Sequence, residues 1–235
     1  MTLPFTWNHG AIGGWRGQAV AYEKDQRMAN TAKPKPTPVN RASMSHRDRL
    51  LRQGMRSFYA LGFHGTTVDA ILEAAEVPKG SFYHHFDSKE SFAQAVLEQY
   101  MFFQHELIGK WAERQDLTTP EKIEGYFDEI ASIFVRSGYE RACLAGKFST
   151  ELAAASDKFR TQLNAGFAGW RTRLVAMLAQ GQENGDVRID RTAEDLATTV
   201  LALLQGGFVL ALSDHDRQSL ESVRLTLATV VSPPG

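Results

Sequence analysis

The sequence predicts an all-α protein, on three observations. From Ser45 onward apolar residues recur at three- and four-residue spacing, the mark of helices with one buried face. No long alternating run of β-branched residues occurs, so strands are not expected. Gly62, Pro78, Asp87-Ser88 and Thr119-Pro120-Glu121 fall where one helix should stop or the next begin.

The elements follow in order. Residues 1–44 have no sustained period and contain Lys33-Pro34-Lys35-Pro36-Thr37-Pro38, where alternate prolines forbid helix; a disordered basic tail is expected. The first helix, Ser45 to Leu61, puts Leu50, Leu51, Met55 and Phe58 on one side and Arg47, Arg49, Arg52 and Arg56 mostly on the other, and Gly62 stops it. Short helices run from about Thr67 to Ala75 and from Pro78, in a first helical turn, to about His85. A fourth starts after Asp87-Ser88, with Asp87 and Glu90 as its capping pair. Longer helices follow: one from Thr119 carrying Ile123, Phe127, Ile130 and Phe134, and one from Asp157 to Gly181 with Phe159, Leu163, Phe167, Trp170, Leu174 and Leu178. The helix from Thr192 to about Leu212 is apolar round most of its circumference. It must be covered on more than one side, by its own bundle and by a second subunit, so a homodimer is expected.

Composition narrows the function. The 235 residues are 43% hydrophobic and 23% charged, which is ordinary for a globular chain. Uninterrupted apolar runs such as Val200 to Leu204 fall far short of the roughly 20 residues of a membrane helix, and no secretion signal is visible. The single cysteine, Cys143, cannot close an intramolecular disulfide. A soluble, cytoplasmic protein without a membrane partner is expected. Net charge is +4 over residues 1–44, zero over 45–90 and −5 over 91–235, a polarity that suits presenting one end to a polyanion. There is no phosphate-cradling glycine loop, no His-Glu-x-x-His and no paired Cys or His at metal spacing, so no catalytic residue, metal or cofactor is expected. Asp214-His215-Asp216 reads as a solvated turn rather than a catalytic cluster.

The stretch that carries function is Thr66 to Phe86. Two helices of about two turns joined by a tight turn give helix-turn-helix geometry, whose second helix projects into a DNA major groove. Val68, Ile71, Ala74, Ala75, Val77, Phe82 and Phe86 would pack the pair on Phe58 and Leu61. Lys79, Gly80 and Ser81 would then approach base edges, Tyr83, His84 and Lys89 would reach phosphates, and Thr66 or Thr67 would clamp another. Helix pairs of this kind also occur in proteins that never touch DNA, so spacing alone leaves a helical ligand-binding or adaptor protein as the alternative.

Leu50 to Phe92 resembles the DNA-binding domain of the TetR family of bacterial transcriptional regulators. The likeness lies in Leu50-Leu51, Phe58, Gly62-Phe63, Thr67-Val68, Ile71, Ala74-Ala75, Val77, the run Lys79 to Phe86, and Ser88-Lys89-Glu90. The resemblance implies a three-helix DNA-binding domain over residues 45–92 and a larger helical ligand-binding and dimerisation domain over 93–231. It implies base contacts from Lys79, Gly80 and Ser81 and backbone contacts from Thr67, Tyr83, His84 and Lys89. It further implies a repressor released from a pseudo-palindromic double-stranded operator by a small molecule. One departure stands out: Glu76 occupies the turn position usually held by glycine, at a cost on the order of 1 kcal/mol if that residue needs positive φ.

In the rear domain, Arg141-Ala142-Cys143-Leu144 resembles the Gly-Cys-Leu segment of a branch of the family that answers small electrophiles and acrylate, with Ala142 in place of the glycine. Cys143 is then a candidate sensor, activated by Arg141, Lys147 or a helix start, or else an inert small hydrophobe. Phe103, Phe127, Phe134, Phe148 and Trp170, together with Trp111 and Phe167, are candidate walls of an effector pocket. Arg141, Arg136, His105 and Gln205 are candidate anchors for a carboxylate or carbonyl.

Overall fold

The structure is a computed structural model that describes residues 44–234. The tail expected over residues 1–44 lies outside the described residues, apart from Met44. Among the described residues every regular element is a helix: α1 His46–Gly65, α2 Val68–Ala75, α3 Lys79–His85, α4 Lys89–Ala112, α5 Thr119–Arg136, α6 Leu144–Leu152, α7 Asp157–Asn184, α8 Ala193–Asp214 and α9 Gln218–Val231.

Side-chain caps set most of the helix starts. Ser45, Thr67, Thr118, Ser156 and Thr192 each accept a backbone N–H from the first turn of the helix they precede, satisfying a donor the helix itself leaves orphaned. Two expectations are corrected. The capping box of α4 is Ser88 with Ser91, not Asp87 with Glu90. Pro78 is the N-cap of α3, in extended conformation at ψ 144°, rather than part of its first turn.

α1 to α3 form a head built on Leu50, Leu51, Phe58, Ile71, Leu72, Val77, Phe82 and Phe86, all buried. Phe92 of α4 closes this core, and a Cβ added at Gly54 would lie 2.3 Å from its ring, so glycine is what lets α4 approach α1. Leu61 and Ala74, expected in this core, are exposed instead. α4 to α9 continue the same hydrophobic core, with α4 packed on α7, α5 on α9, and α8 between α7 and α9.

α8 corrects a further expectation. Counted as a whole helix it has the length and apolarity of a membrane crossing, with a mean hydropathy of 1.8 over its best window, because Thr198, Thr199 and Gln205 break up uninterrupted runs without making it polar. Leu196, Val200, Leu204, Phe208 and Ala211 are buried in the bundle, whereas Ala202, Gly206, Val209 and Leu210 lie exposed along another side.

Candidate nucleic-acid interface and effector site

The turn between α2 and α3 is the part of the head with the least conformational choice. Glu76 is left-handed (φ 53°, ψ 47°) and its N–H bonds back to the Leu72 and Glu73 carbonyls, closing α2. A glutamate is strained there, and Arg49 of α1 supplies the restraint. Its Nη2 donates to the carbonyls of Ala75 (2.5 Å) and Glu76 (2.8 Å) and lies 3.7 Å from the Glu76 carboxylate. The acidic side chain therefore faces an arginine of its own head.

Beyond the turn, Lys79, Gly80, Tyr83 and His84 are exposed on α3, with Phe82 pointing into the core beneath them. Nothing lies within 4 Å of a Cβ placed on Gly80. Lys79 Nζ sits 3.0 Å from Asp69 of α2, and that hydrogen bond raises its pKa above the usual lysine value. An exposed pair of this kind contributes little and exchanges readily for another anion. Ser81 Oγ is 2.9 Å from His46 Nδ1, tying α3 to the start of α1.

Thr66 and Thr67 separate cleanly. Thr66 is buried and its hydroxyl donates to the Gly62 carbonyl at 2.7 Å, which removes it from any surface. Thr67 is exposed at the N-cap of α2, where its oxygen accepts from Ala70 N–H and its own proton is left for an outside acceptor. Lys89 is placed differently from the rest. Its ammonium stands 4.4 Å over the Phe63 ring, and burial lowers its pKa against the opposing charge of Glu151.

The rear domain reaches the head through α6. Cys143 is the N-cap of this helix; Gly146 N–H donates to its Sγ at 3.3 Å and the Tyr100 hydroxyl donates at 3.4 Å. Burial first, then electrostatic interaction with Cys143, raises the pKa of Tyr59, Tyr100 and Tyr126, so these phenols stay neutral; Tyr100 donates to the sulfur, whereas the Tyr126 hydroxyl donates to Gln104 Oε1 at 3.1 Å. One turn on, Lys147 Nζ donates to the Tyr59 carbonyl of α1 at 2.9 Å, which commits the cation to that carbonyl. Another turn on, Glu151 accepts the Phe63 N–H at 2.6 Å, just past Gly62, where α1 breaks (φ 70°, ψ −179°). Phe148, between them, stacks edge-on against Phe58 of the head.

The expected pocket walls divide. Phe127, Phe134, Phe148 and Trp170 are fully enclosed in the core: Phe127 and Phe134 pack on Phe208, Phe148 on Phe58 and Phe159, and Trp170 on Tyr126 and Phe167. None of the four lines the cavity beside Phe103 and Arg141. Trp170 keeps one polar feature, an indole N–H with no acceptor among the described residues. Phe103 and Arg141 do line a cavity, of about 510 Å³. Its other walls were not expected from sequence: Asp48, Arg52, Met55, Arg56 and Tyr59 come from α1, and Gln99 from α4. Their i, i+4, i+7 spacing along α1 marks a shared face but not what faces it.

Known proteins share both halves of this arrangement. Residues 50–96 match the family described as "Bacterial regulatory proteins, tetR family", and residues 120–225 match "Transcriptional regulator LmrA/YxaF-like, C-terminal domain". The HTH-type transcriptional repressor DhaR of Mycobacterium sp. (strain GP1) is 34% identical over 175 residues, covering 74% of this chain and 86% of that protein. The crystal structure of reduced NemR from Escherichia coli superposes with a TM-score of 0.75 at 28% identity, covering 81% of this chain and 98% of that one. A regulatory protein TetR from Rhodobacter sphaeroides gives a TM-score of 0.75 at 27% identity over 78% of this chain and 97% of its own. The chain belongs to the TetR family of bacterial transcriptional regulators.

Proposed function

We propose that the protein is a cytoplasmic, homodimeric repressor that holds a pseudo-palindromic operator and lets go when a small molecule binds its rear domain. The observation that carries this reading is α6. The helix headed by Cys143 grips α1 at the Tyr59 carbonyl and the Phe63 N–H, so a ligand that shifts α6 re-aims the head. A dimer sets two α3 helices about one helical turn of DNA, roughly 34 Å, apart. Val209 (63% exposed), Leu210 and Leu225 (65% exposed) on α8 and α9 form the apolar surface a second copy would cover. A ligand that prefers a different head spacing then lowers operator affinity by its differential binding, and a tenfold change takes about 1.4 kcal/mol.

The same proposal assigns Lys79, Gly80 and Ser81 of α3 to bases, and Tyr83 and His84 of α3 with Thr67 at the start of α2 to the backbone; Lys89 joins them only after leaving the Phe63 ring. Small electrophiles are the effector class that Cys143 favours. A thiolate adds to the β-carbon of an unsaturated carbonyl, the π pair moves to the α-carbon, and that carbon takes a proton; Tyr100 is a neutral donor within reach of the sulfur. The names of DhaR and NemR, both transcriptional repressors, support repression. The test is operator affinity with and without a panel of small acids and electrophiles, in the natural chain and in Cys143→Ser. Loss of response to electrophiles alone supports covalent sensing; equal response assigns Cys143 a capping role only.

A further inference from the structure

The cavity between α1, α4 and the loop ahead of α6 has a composition unlike the interior around Cys143. Arg52 and Arg141 bring two guanidinium groups to its walls, where the carboxylate of Asp48 is already engaged by the Ser45 hydroxyl at 2.7 Å. Among the described residues no carboxylate lies within ion-pair distance of Arg52 or Arg141; Arg52 makes only a 3.8 Å contact with the Met44 sulfur. Met55, Tyr59 and Phe103 supply an apolar floor, and Phe103 is 46% exposed, a large ring left without cover. Apolar walls, forked donors on the same cavity and about 510 Å³ fit a small organic molecule with an anionic end.

We infer that this hinge cavity is a second effector site, for a small organic carboxylate, adjoining the Cys143 cluster, with which it shares Tyr59, but not using the sulfur. The carboxylate is held between Arg52 of α1 and Arg141, two residues before Cys143, while its apolar body lies on Met55 and Phe103. Such a ligand ties the head to the loop that starts α6 and so biases the head's orientation. The effect on DNA rests on the regulatory reading above; binding itself does not. A DNA backbone fits these arginines less well, because it would leave the apolar floor of Met55, Tyr59 and Phe103 without an apolar partner.

The test uses the full chain with 3-phenylpropanoate, and its uncharged twin 3-phenylpropanamide, in calorimetric titration. The site predicts saturable binding of the acid and at least tenfold weaker binding of the amide. It also predicts at least a tenfold loss of acid binding in Arg52→Gln/Arg141→Gln, a smaller loss in the Arg52→Lys/Arg141→Lys pair, and no loss in Cys143→Ser. No binding of the acid at millimolar concentration, equal binding of acid and amide, or full binding by the double glutamine variant overturns it. So does a double glutamine variant that binds the acid normally but binds duplex DNA more weakly, since the arginines then belong to the DNA surface. Acid binding that follows this pattern without changing operator affinity upholds the site and contradicts the regulatory reading instead.

Discussion

Two residues of the head sit at positive φ, and the chain handles them in opposite ways. Glu76, in the turn before α3, is a side-chain-bearing residue held left-handed by Arg49, from within the head itself. Gly62, where α1 breaks, is glycine, and the chain beyond it is held by Glu151 from α6. A Cβ there would lie 2.3 Å from the Glu151 carboxylate. The turn before α3 is thus restrained from within the head, whereas the chain after Gly62 is bound by the rear domain. Under the proposed function that division has a use: a fixed reading surface on a mount that a ligand can re-aim.

The sharpest way to break the comparison is Gly62→Ala. Its backbone lies in a region open essentially to glycine alone, and the added carbon displaces Glu151; the expected loss is about 3 kcal/mol in urea denaturation. Arg49→Ala should cost about 2 kcal/mol by releasing two carbonyls, and Glu76→Gly should recover about 1 kcal/mol of it because the turn no longer needs restraint. If Glu76→Gly were instead destabilising in the Arg49→Ala background, the turn would not be strained in the manner described. Glu151→Gln keeps an acceptor but loses its charge, so the expected cost is about 1 kcal/mol. It should also alter the protection of the Phe63 amide from hydrogen exchange while leaving that of Val77 unchanged, because only the mount is touched.

The smallest effect concerns pH. Burial holds the His105 imidazole below its ordinary pKa, more than the Gly166 carbonyl at 3.3 Å offsets. The unfolded chain therefore takes up this proton first. The corresponding stability is complete above about pH 6.5 and is lost as pH falls from there through the folded value. Melting temperature followed from about pH 7.5 to about pH 5.5 should fall less in His105→Gln than in the natural chain. Equal slopes would remove His105 from the account.

Much of the head was legible because its signals are local. The start of α2 near Thr67, the stop at Gly62, the burial of Ile71, Phe82 and Phe86 and the strain at Glu76 all follow from residues within a few positions of one another. Where two local signals overlapped, sequence chose wrongly. Asp87/Glu90 and Ser88/Ser91 satisfy the same three-residue spacing, and burial of Phe92, Ala93 and Val96 fits the register of the second. The mount was not legible, since Glu151 meets Phe63 across 88 positions and Arg141 shares a cavity with Arg52. Periodicity states which side of a helix is polar, not what stands opposite. For the same reason an aromatic stripe such as Phe127 and Phe134 reads equally well as pocket wall or core, and here it is core.

The most direct measurement is selection of bound duplexes from a random-sequence pool, followed by affinity of the natural chain and of Lys79→Gln/Tyr83→Phe for the selected site. A reading surface on α3 predicts enrichment of a pseudo-palindrome with half-sites about one helical turn apart, and about a tenfold or greater loss of affinity in the double variant with its melting temperature unchanged. Enrichment of no common sequence, or undiminished binding by the double variant, would contradict it.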